Sequence, residues 1–335
     1  MSAAETFQQR WHRIAAEDAK ADNSVDSYWS HVKSFYRFVG RGAATWTGRD
    51  WEAFERWMLA ERYSYSSRRQ ARCALAFTFK KVLGIECGKL NLPVIPKPER
   101  RLVVVPTRDE LGRLFAGLSG QVRLAARLMH GSGTRIEETC RIRVQDVDLE
   151  HARLRVWDGK GEKNRVTVLP RNLLPALQRH LAWRAALHAR DLDEGNGFVE
   201  LPGRLAGKYR AAPRELGWQW LLASSTVVKQ HRWYLSPTTV SNTIAQARRA
   251  AGIVKKITAH SLRKAFASEL QRACAPIKLI QHLLGHANME TTAAHYLETD
   301  LAGAFSPADV PTIALMPDFS IAAMKERIAL PRRSC

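Results

Sequence analysis

The chain has 335 residues, 45% of them apolar, enough for two compact domains with real cores, which excludes wholesale disorder. Against 32 acidic residues it carries 52 Lys and Arg, a formal charge of +20, and the basic pairs Arg68–Arg69, Lys80–Lys81, Arg100–Arg101, Arg248–Arg249 and Lys255–Lys256 run through the whole length. That spread points to a polyanion such as nucleic acid and away from a membrane surface, which would concentrate the charge beside one apolar face.

No run of about 18 apolar residues and no charged-then-apolar start at Met1–Arg10 is present, so the protein is expected to stay in the cytoplasm without a membrane partner. Five scattered cysteines (Cys73, Cys87, Cys140, Cys274, Cys335) form no C-x-x-C pair, which argues against a disulfide framework and against a thiolate metal site.

In chain order, Val25–Val39 places Tyr28, Val32, Phe35, Tyr36 and Val39 at helical spacing, with Ser24 as its N-cap. The run Ser67–Leu83 predicts a second helix with a core face (Ala71, Leu75, Phe79) and a cationic face (Arg68, Arg72, Lys80). Asn91–Pro106 carries four prolines, which forbid a continuous helix, so residues 93–106 are read as a linker between a helical domain over 1–92 and a second domain over 107–307. Thr107–Glu110 has the spacing of a capping box. Leu154–Trp157 and Arg165–Leu169 read as strands joined by a Gly159–Gly161 turn, a small hairpin among helices, and the remainder is read as helical. The fold class is therefore mainly α with a small antiparallel β-sheet, in two domains.

Four segments of the second domain carry candidate chemistry. Arg135 stands just past a glycine turn in Gly131–Arg143, and Lys160 sits on the hairpin tip Gly159–Arg165. His260 and Arg263 form an H-x-x-R pair in Ala259–Phe266, and His286 closes Leu283–His286, with Tyr296 shortly after. Each segment alone has an ordinary structural explanation, since an arginine can cap a helix and a hairpin lysine can simply be solvated. A phosphodiester under attack gains negative charge on its equatorial oxygens, and planar guanidiniums such as Arg135 and Arg263 grip such oxygens in pairs. His260 and His286 can donate to the same oxygens or take a phenol proton near neutral pH, and a lysine can protonate a leaving oxygen. No P-loop and no two-metal carboxylate cluster is legible. His282 and His286 have zinc-pair spacing, but Gly285 lies between them and no H-E-x-x-H glutamate accompanies them, so no metal or other cofactor is expected.

In their order and separation these four segments resemble the signature of the tyrosine recombinases, over roughly residues 20–307. The resemblance implies a helical, SAM-like core-binding domain and a catalytic domain closing around DNA as a clamp. It also implies Tyr296 as a nucleophile forming a 3′-phosphotyrosyl intermediate, and a homotetramer on two synapsed sites. Because that linkage keeps the phosphodiester's energy, no ATP is needed. Gly195–Ser224, with its L-P…K-Y…W-x-W text, resembles the insertion of integron integrases, placed near 191–225 with an added helix. It implies recognition of folded single strands as well as duplex. Trp218, Trp220, Tyr209 and His231 would then stack on extrahelical bases, with Lys208 and Lys229 on phosphates; the alternative is that the tryptophans are core of the extra helix.

Three features depart from the family's pattern. Lys264 replaces a usual histidine. Tyr296 falls one residue beyond the usual tyrosine position, which here is His295. On a helix that turns a side chain by about 100°, so the alternatives are an enzyme whose loop absorbs the extra residue and a DNA-binding relative without activity. A phage- or Xer-type recombinase on duplex sites, and a type IB topoisomerase, are the other readings. The tail 308–335 matches nothing recognised.

Overall fold

In the computed structural model, residues 5–18, 22–86, 88, 90–96, 104–157, 164–201 and 208–285 are described. They form a mostly helical protein with two small antiparallel sheets, in two compact units over Met1–Arg101 and Leu102–Cys335.

The first unit holds α1 (Phe7–Glu17), α2 (Asp22–Val39), α3 (Gly48–Ala60) and α4 (Tyr65–Phe77), whose last turns widen into a π-helix over Thr78–Leu83. Its core is unusually aromatic: Trp11, Phe35, Trp46, Trp51, Phe54 and Phe79 are all buried. The Trp11 indole N–H donates to the Thr78 hydroxyl at 2.9 Å, at the first residue of the π segment, which satisfies the polar edge of a fully buried ring. Ser24 lies inside α2 rather than capping it, because the helix starts at Asp22. Ser64, not a residue of the predicted run, caps α4 by accepting from the Ser67 amide. Ala71, Leu75 and Phe79 face the core as the spacing predicts, and Lys80 is exposed, but Arg68 is buried and leaves the expected cationic face. Arg72 turns to the buried Glu55 and holds both its oxygens at 2.9 Å, so that this carboxylate is not left unpaired in the core.

The second unit opens with the Thr107–Glu110 capping box, present as predicted, leading α5 (Arg108–Ala116). Then follow α6 (Gly120–Ser132), the short α7 (Ile136–Cys140), and a three-stranded antiparallel sheet β1 (Val147–Asp148), β2 (Arg153–Val156), β3 (Arg165–Val168). The β2–β3 pair, in register Arg153 to Val168 and Val156 to Arg165, is the predicted hairpin, one residue shifted at its bounds. The long α8 (Leu174–Asp193) leads to the segment before β4 (Ala223–Val228) and β5 (His231–Tyr234), a second hairpin. Its two-residue turn, Lys229–Gln230, has φ of 48° and 66°, the paired left-handed conformation whose twist suits a hairpin. This hairpin corrects the expectation of an all-helical remainder. Among the described residues three helices follow: α9 (Pro237–Ala250), α10 (Ala259–Arg272) and α11 (Ile277–Leu284).

Leu124, Leu128 and Met129 of α6, Leu262 and Ala265 of α10, Val240 and Ile244 of α9, and Leu154 and Val156 of β2 form one buried core. Burying each such large side chain contributes roughly 1.5–3 kcal/mol. That packing sets α6 along α10 and β3 beside α11, and so fixes where the chain turns that follow them meet. None of the described helices is long and apolar enough to cross a membrane. Cys73, Cys140 and Cys274 are free thiols, and burial pushes the Cys140 thiol up to about 12, which makes it inert near neutral pH.

Candidate active site

α6 ends at Gly133, whose φ of +66° allows the chain to reverse; a Cβ there would sit 2.4 Å from the Phe266 ring. Arg135 follows as the extended N-cap residue of α7, and Glu138, three residues on, returns its carboxylate to the Arg135 amide at 2.7 Å. Arg135 thus starts a helix with its backbone, while its side chain is free to point elsewhere. In α10 the Thr258–Ser261 capping box fixes the start, which puts His260, exposed, in the first turn and Arg263 further in, only 3% exposed.

The two arginines predicted as an electrostatic clamp meet at one place. Arg135 donates through Nη1 to Glu138 Oε1 at 2.5 Å, and Arg263 Nη1 lies 3.7 Å from Glu138 Oε2. A third arginine, Arg165, completes the cluster, donating to both oxygens of the same carboxylate at 2.9 and 2.6 Å. These three guanidiniums also take three successive carbonyls at the end of α11. Arg165 Nε donates to Leu283 O at 3.0 Å, Arg263 Nη2 to Leu284 O at 2.5 Å and Arg135 Nη2 to Gly285 O at 3.3 Å. Arg263 Nη1 further donates to Gly133 O at 2.6 Å. The carbonyl end of a helix is the negative end of its dipole and lacks intrahelical donors, so cations are stabilised there.

Burial by itself would raise the Glu138 carboxyl, but the hydrogen bonds and charge of Arg165, then the bonds from Arg135, outweigh it and hold it down to about 2. Among these four side chains, three guanidiniums face one carboxylate, two positive charges in excess. The Arg135 side chain, 42% exposed, presents that charge to solvent. Such a site suits an anion with several oxygens on a planar or tetrahedral centre. Glu138 and Arg165 were not singled out in the sequence; the three-residue spacing from Arg135 to Glu138 was the available signal for the first.

Lys160, His286 and Tyr296 lie outside the described residues, as do 202–207 of the insertion-like segment and the tail. Among the described residues no group of three or more His, Cys, Asp or Glu could hold a metal ion.

The tryptophans of the insertion-like segment do not ride on an α-helix. The described elements around the tryptophans, between Ala211 and β4, are two 3-10 turns, Ala212–Arg214 and Leu216–Trp218. Trp220 is only 8% exposed, packed with Val199, Leu201 and Ala212, with the Arg143 guanidinium 4.0 Å from its ring centre and Tyr234 edge-on. It is core, which corrects its reading as an open stacking platform. Trp218 is half-buried beside the same arginine, which donates to Trp218 O at 2.5 Å and Glu200 O at 2.8 Å. Burial lowers Arg143 to about 10 against the opposing pull of Asp146 and Glu200. Tyr209 is 48% exposed with the Lys208 ammonium 5.3 Å from its ring, Lys229 is exposed at the hairpin turn, and His231 is half-buried at the start of β5.

A polar core in α8 anchors this segment. Fully buried Arg184 donates to Trp220 O and Gln219 Oε1, His180 to Leu221 O at 2.9 Å and His188 to Arg214 O at 2.8 Å. Asp191 forms a buried two-pronged ion pair with Arg232 of β5.

The model of the phage integrase family matches residues 107–302, and that of the phage integrase N-terminal SAM-like domain matches residues 7–89. An "Integrase/recombinase" of Escherichia coli is 39% identical over 295 residues, 84% of this chain and 87% of that protein. "Tyrosine recombinase XerA" of Pyrococcus furiosus is 28% identical over 279 residues, 82% of this chain and 83% of the relative. Among solved structures, a lambda integrase dimer bound to a COC′ core site superposes with a TM-score of 0.60 at 17% identity, covering 92% of this chain and 100% of that one, a likeness of fold.

Proposed function

Since this chain belongs to the phage integrase family of tyrosine recombinases, we propose that it cuts and rejoins DNA at gene-cassette sites, including folded single-stranded hairpins. The observation that carries the reaction is the meeting of Arg135 and Arg263 on one carboxylate and on adjacent carbonyls, in a cluster with surplus positive charge. Two fragments 128 residues apart in the sequence bring guanidiniums to one point, where Glu138 and the carbonyls at the end of α11 hold them.

In this reading the scissile phosphate docks against the two arginines, whose charge answers the negative charge that grows on its oxygens. The Tyr296 phenol attacks phosphorus while His260 or His286 accepts its proton. The bond to the 5′-oxygen breaks, and Lys160 gives that oxygen a proton. Rejoining runs the same steps backwards with a 5′-hydroxyl from another strand, so the DNA ends with as many phosphodiesters as it began and no cofactor is consumed. Four copies act on two sites.

Support for the single-stranded substrate comes from the segment before β4. Tyr209 is exposed next to Lys208, an aromatic face paired with a cation, which is how unpaired bases and their phosphates are held. Trp218 adds a partly open face, and Lys229 and His231 lie on the β4–β5 hairpin that follows. Trp218 packs against the buried cluster that holds Trp220.

The reading is tested by incubating the chain with a bulged hairpin that carries a nick next to the scissile phosphate, so that the cut end diffuses away. A covalent protein–DNA adduct on a denaturing gel, absent in Tyr296→Phe, is expected. The later-than-usual place of Tyr296 favours one second reading, a DNA-binding relative without cleavage; binding with no adduct from the wild-type chain would establish it.

A further inference from the structure

Arg165 opens β3 as the last residue of the glycine-flanked tip segment, and the steps above give it no part. It is nonetheless bonded through all three nitrogens: Nη1 and Nη2 take the two Glu138 oxygens and Nε takes Leu283 O. Its side chain is 4% exposed, as buried as that of Arg263, and each of its three nitrogens already has a protein acceptor. Close packing confirms that the place is built around it, for a Cβ on Gly285 would lie 2.8 Å from Arg165 Nη1 and 2.9 Å from its Cδ.

We infer that Arg165 is a positioning residue for the cleavage step, acting through Glu138 to set the guanidinium of Arg135. The inference rests on the reading of this cluster as the clamp on the scissile phosphate. A carboxylate beside a lone arginine takes it side-on, two oxygens to two nitrogens. Here Arg165 occupies both Glu138 oxygens, so Glu138 holds the Arg135 side chain through Nη1 alone. Removing Arg165 lets Glu138 close on Arg135 in a fork, which turns that guanidinium from the phosphate and cancels more of its charge. It also withdraws one of the cations that face a single carboxylate, and it frees Leu283 O at the helix end that leads to His286.

The test uses the full chain and the nicked bulged hairpin, comparing Arg165→Ala, Arg165→Lys and wild type. DNA affinity, thermal midpoint and the first-order rate of strand cleavage at saturating DNA are read for each. The inference expects the alanine variant to cleave about 100-fold slower with affinity within about threefold, and the lysine variant, which cannot reach three acceptors, to recover only part. A second substrate carries a methylphosphonate at the scissile position, which lacks one of the oxygens' charges and so needs less of the clamp. On it the alanine defect is expected to shrink to about tenfold or less. A general loosening of the fold would slow both substrates alike.

Equal defects on the two substrates, cleavage within about threefold of wild type, or a loss that follows affinity would each overturn the inference while leaving the recombinase reading intact. If wild type itself makes no adduct, that reading falls first and takes the inference with it. Should the alanine variant melt below the assay temperature, the lysine variant, which keeps the buried charge, carries the same two-substrate comparison.

Discussion

Arg263 donates at 2.5 Å to the carbonyl of Leu284, two positions before His286, and at 2.6 Å to that of Gly133, two positions before Arg135. One buried side chain therefore ties together the chain turns that lead to two other predicted site residues. A lysine ammonium is a compact donor on a single atom and cannot span both carbonyls and a phosphate. Arg263→Lys should slow adduct formation by roughly 10²–10³-fold, the usual cost of one transition-state donor. A time course of the adduct on a denaturing gel measures this, and near wild-type speed would remove Arg263 from the clamp.

Glu138 should give the protein a stability component visible in acid. Its carboxyl is held down to about 2 against an ordinary 4.5, so the stabilisation is fully present above about 4.5 and drains as the pH falls towards about 2. The size is about 3 kcal/mol, an order-of-magnitude figure from the shift of a nearly fully buried group. Urea midpoints across that window should fall for the wild type more steeply than for Glu138→Gln, which is already weaker at neutral pH. Parallel slopes would contradict the assignment.

Gly133→Ala should destabilise the second unit even though it adds one methyl group. The left-handed φ costs an L-residue roughly 1–2 kcal/mol, and the methyl would lie 2.4 Å from the Phe266 ring, adding about 1–3 kcal/mol of overpacking. Phe266→Leu in the same chain should return part of the second cost and none of the first. A thermal midpoint for the pair no higher than for Gly133→Ala alone would rule out the clash.

Trp220 and Tyr209 should separate folding from recognition. Trp220→Ala removes a buried ring under Arg143 and should cost about 3–5 kcal/mol of stability, lowering binding to hairpin and duplex alike. Tyr209→Ala should leave the thermal midpoint unchanged and weaken binding to a hairpin with extrahelical bases by about 1–3 kcal/mol, with little change on perfect duplex. Equal losses on both DNAs for Tyr209→Ala would refute base stacking there.

His180 and His188 should make the anchored segment loosen in mild acid. Burial lowers both below the ordinary 6.5, with their carbonyl partners pulling the other way, and His188 Nδ1 is buried with no partner to receive a new proton. A depressed folded value means stability that is present above 6.5 and lost as the pH falls towards the lower folded values. Amide exchange around Arg214–Leu221, corrected for its intrinsic pH dependence, should speed up below 6.5; unchanged protection would contradict it.

By itself the sequence determined the class of fold, and it supplied the basic charge that points to a polyanion and the arginines proposed here as the clamp. Helix spacing, four prolines in one run and the Thr107–Glu110 spacing are local signals, and the order of Arg135, His260 and Arg263 is a linear one. Only the tertiary structure decided what those residues do for one another. The joining of Arg135 and Arg263 through Glu138 depends on α6 lying along α10, and the entry of Arg165 into that cluster on β3 lying beside α11, contacts between segments more than 100 residues apart. No window of sequence contains such a contact, because it follows from core packing and not from local propensity. The same reason explains Trp220 and Arg68: an aromatic or a cation looks like a surface reader in a list of residues, and whether it is buried is settled by what packs over it.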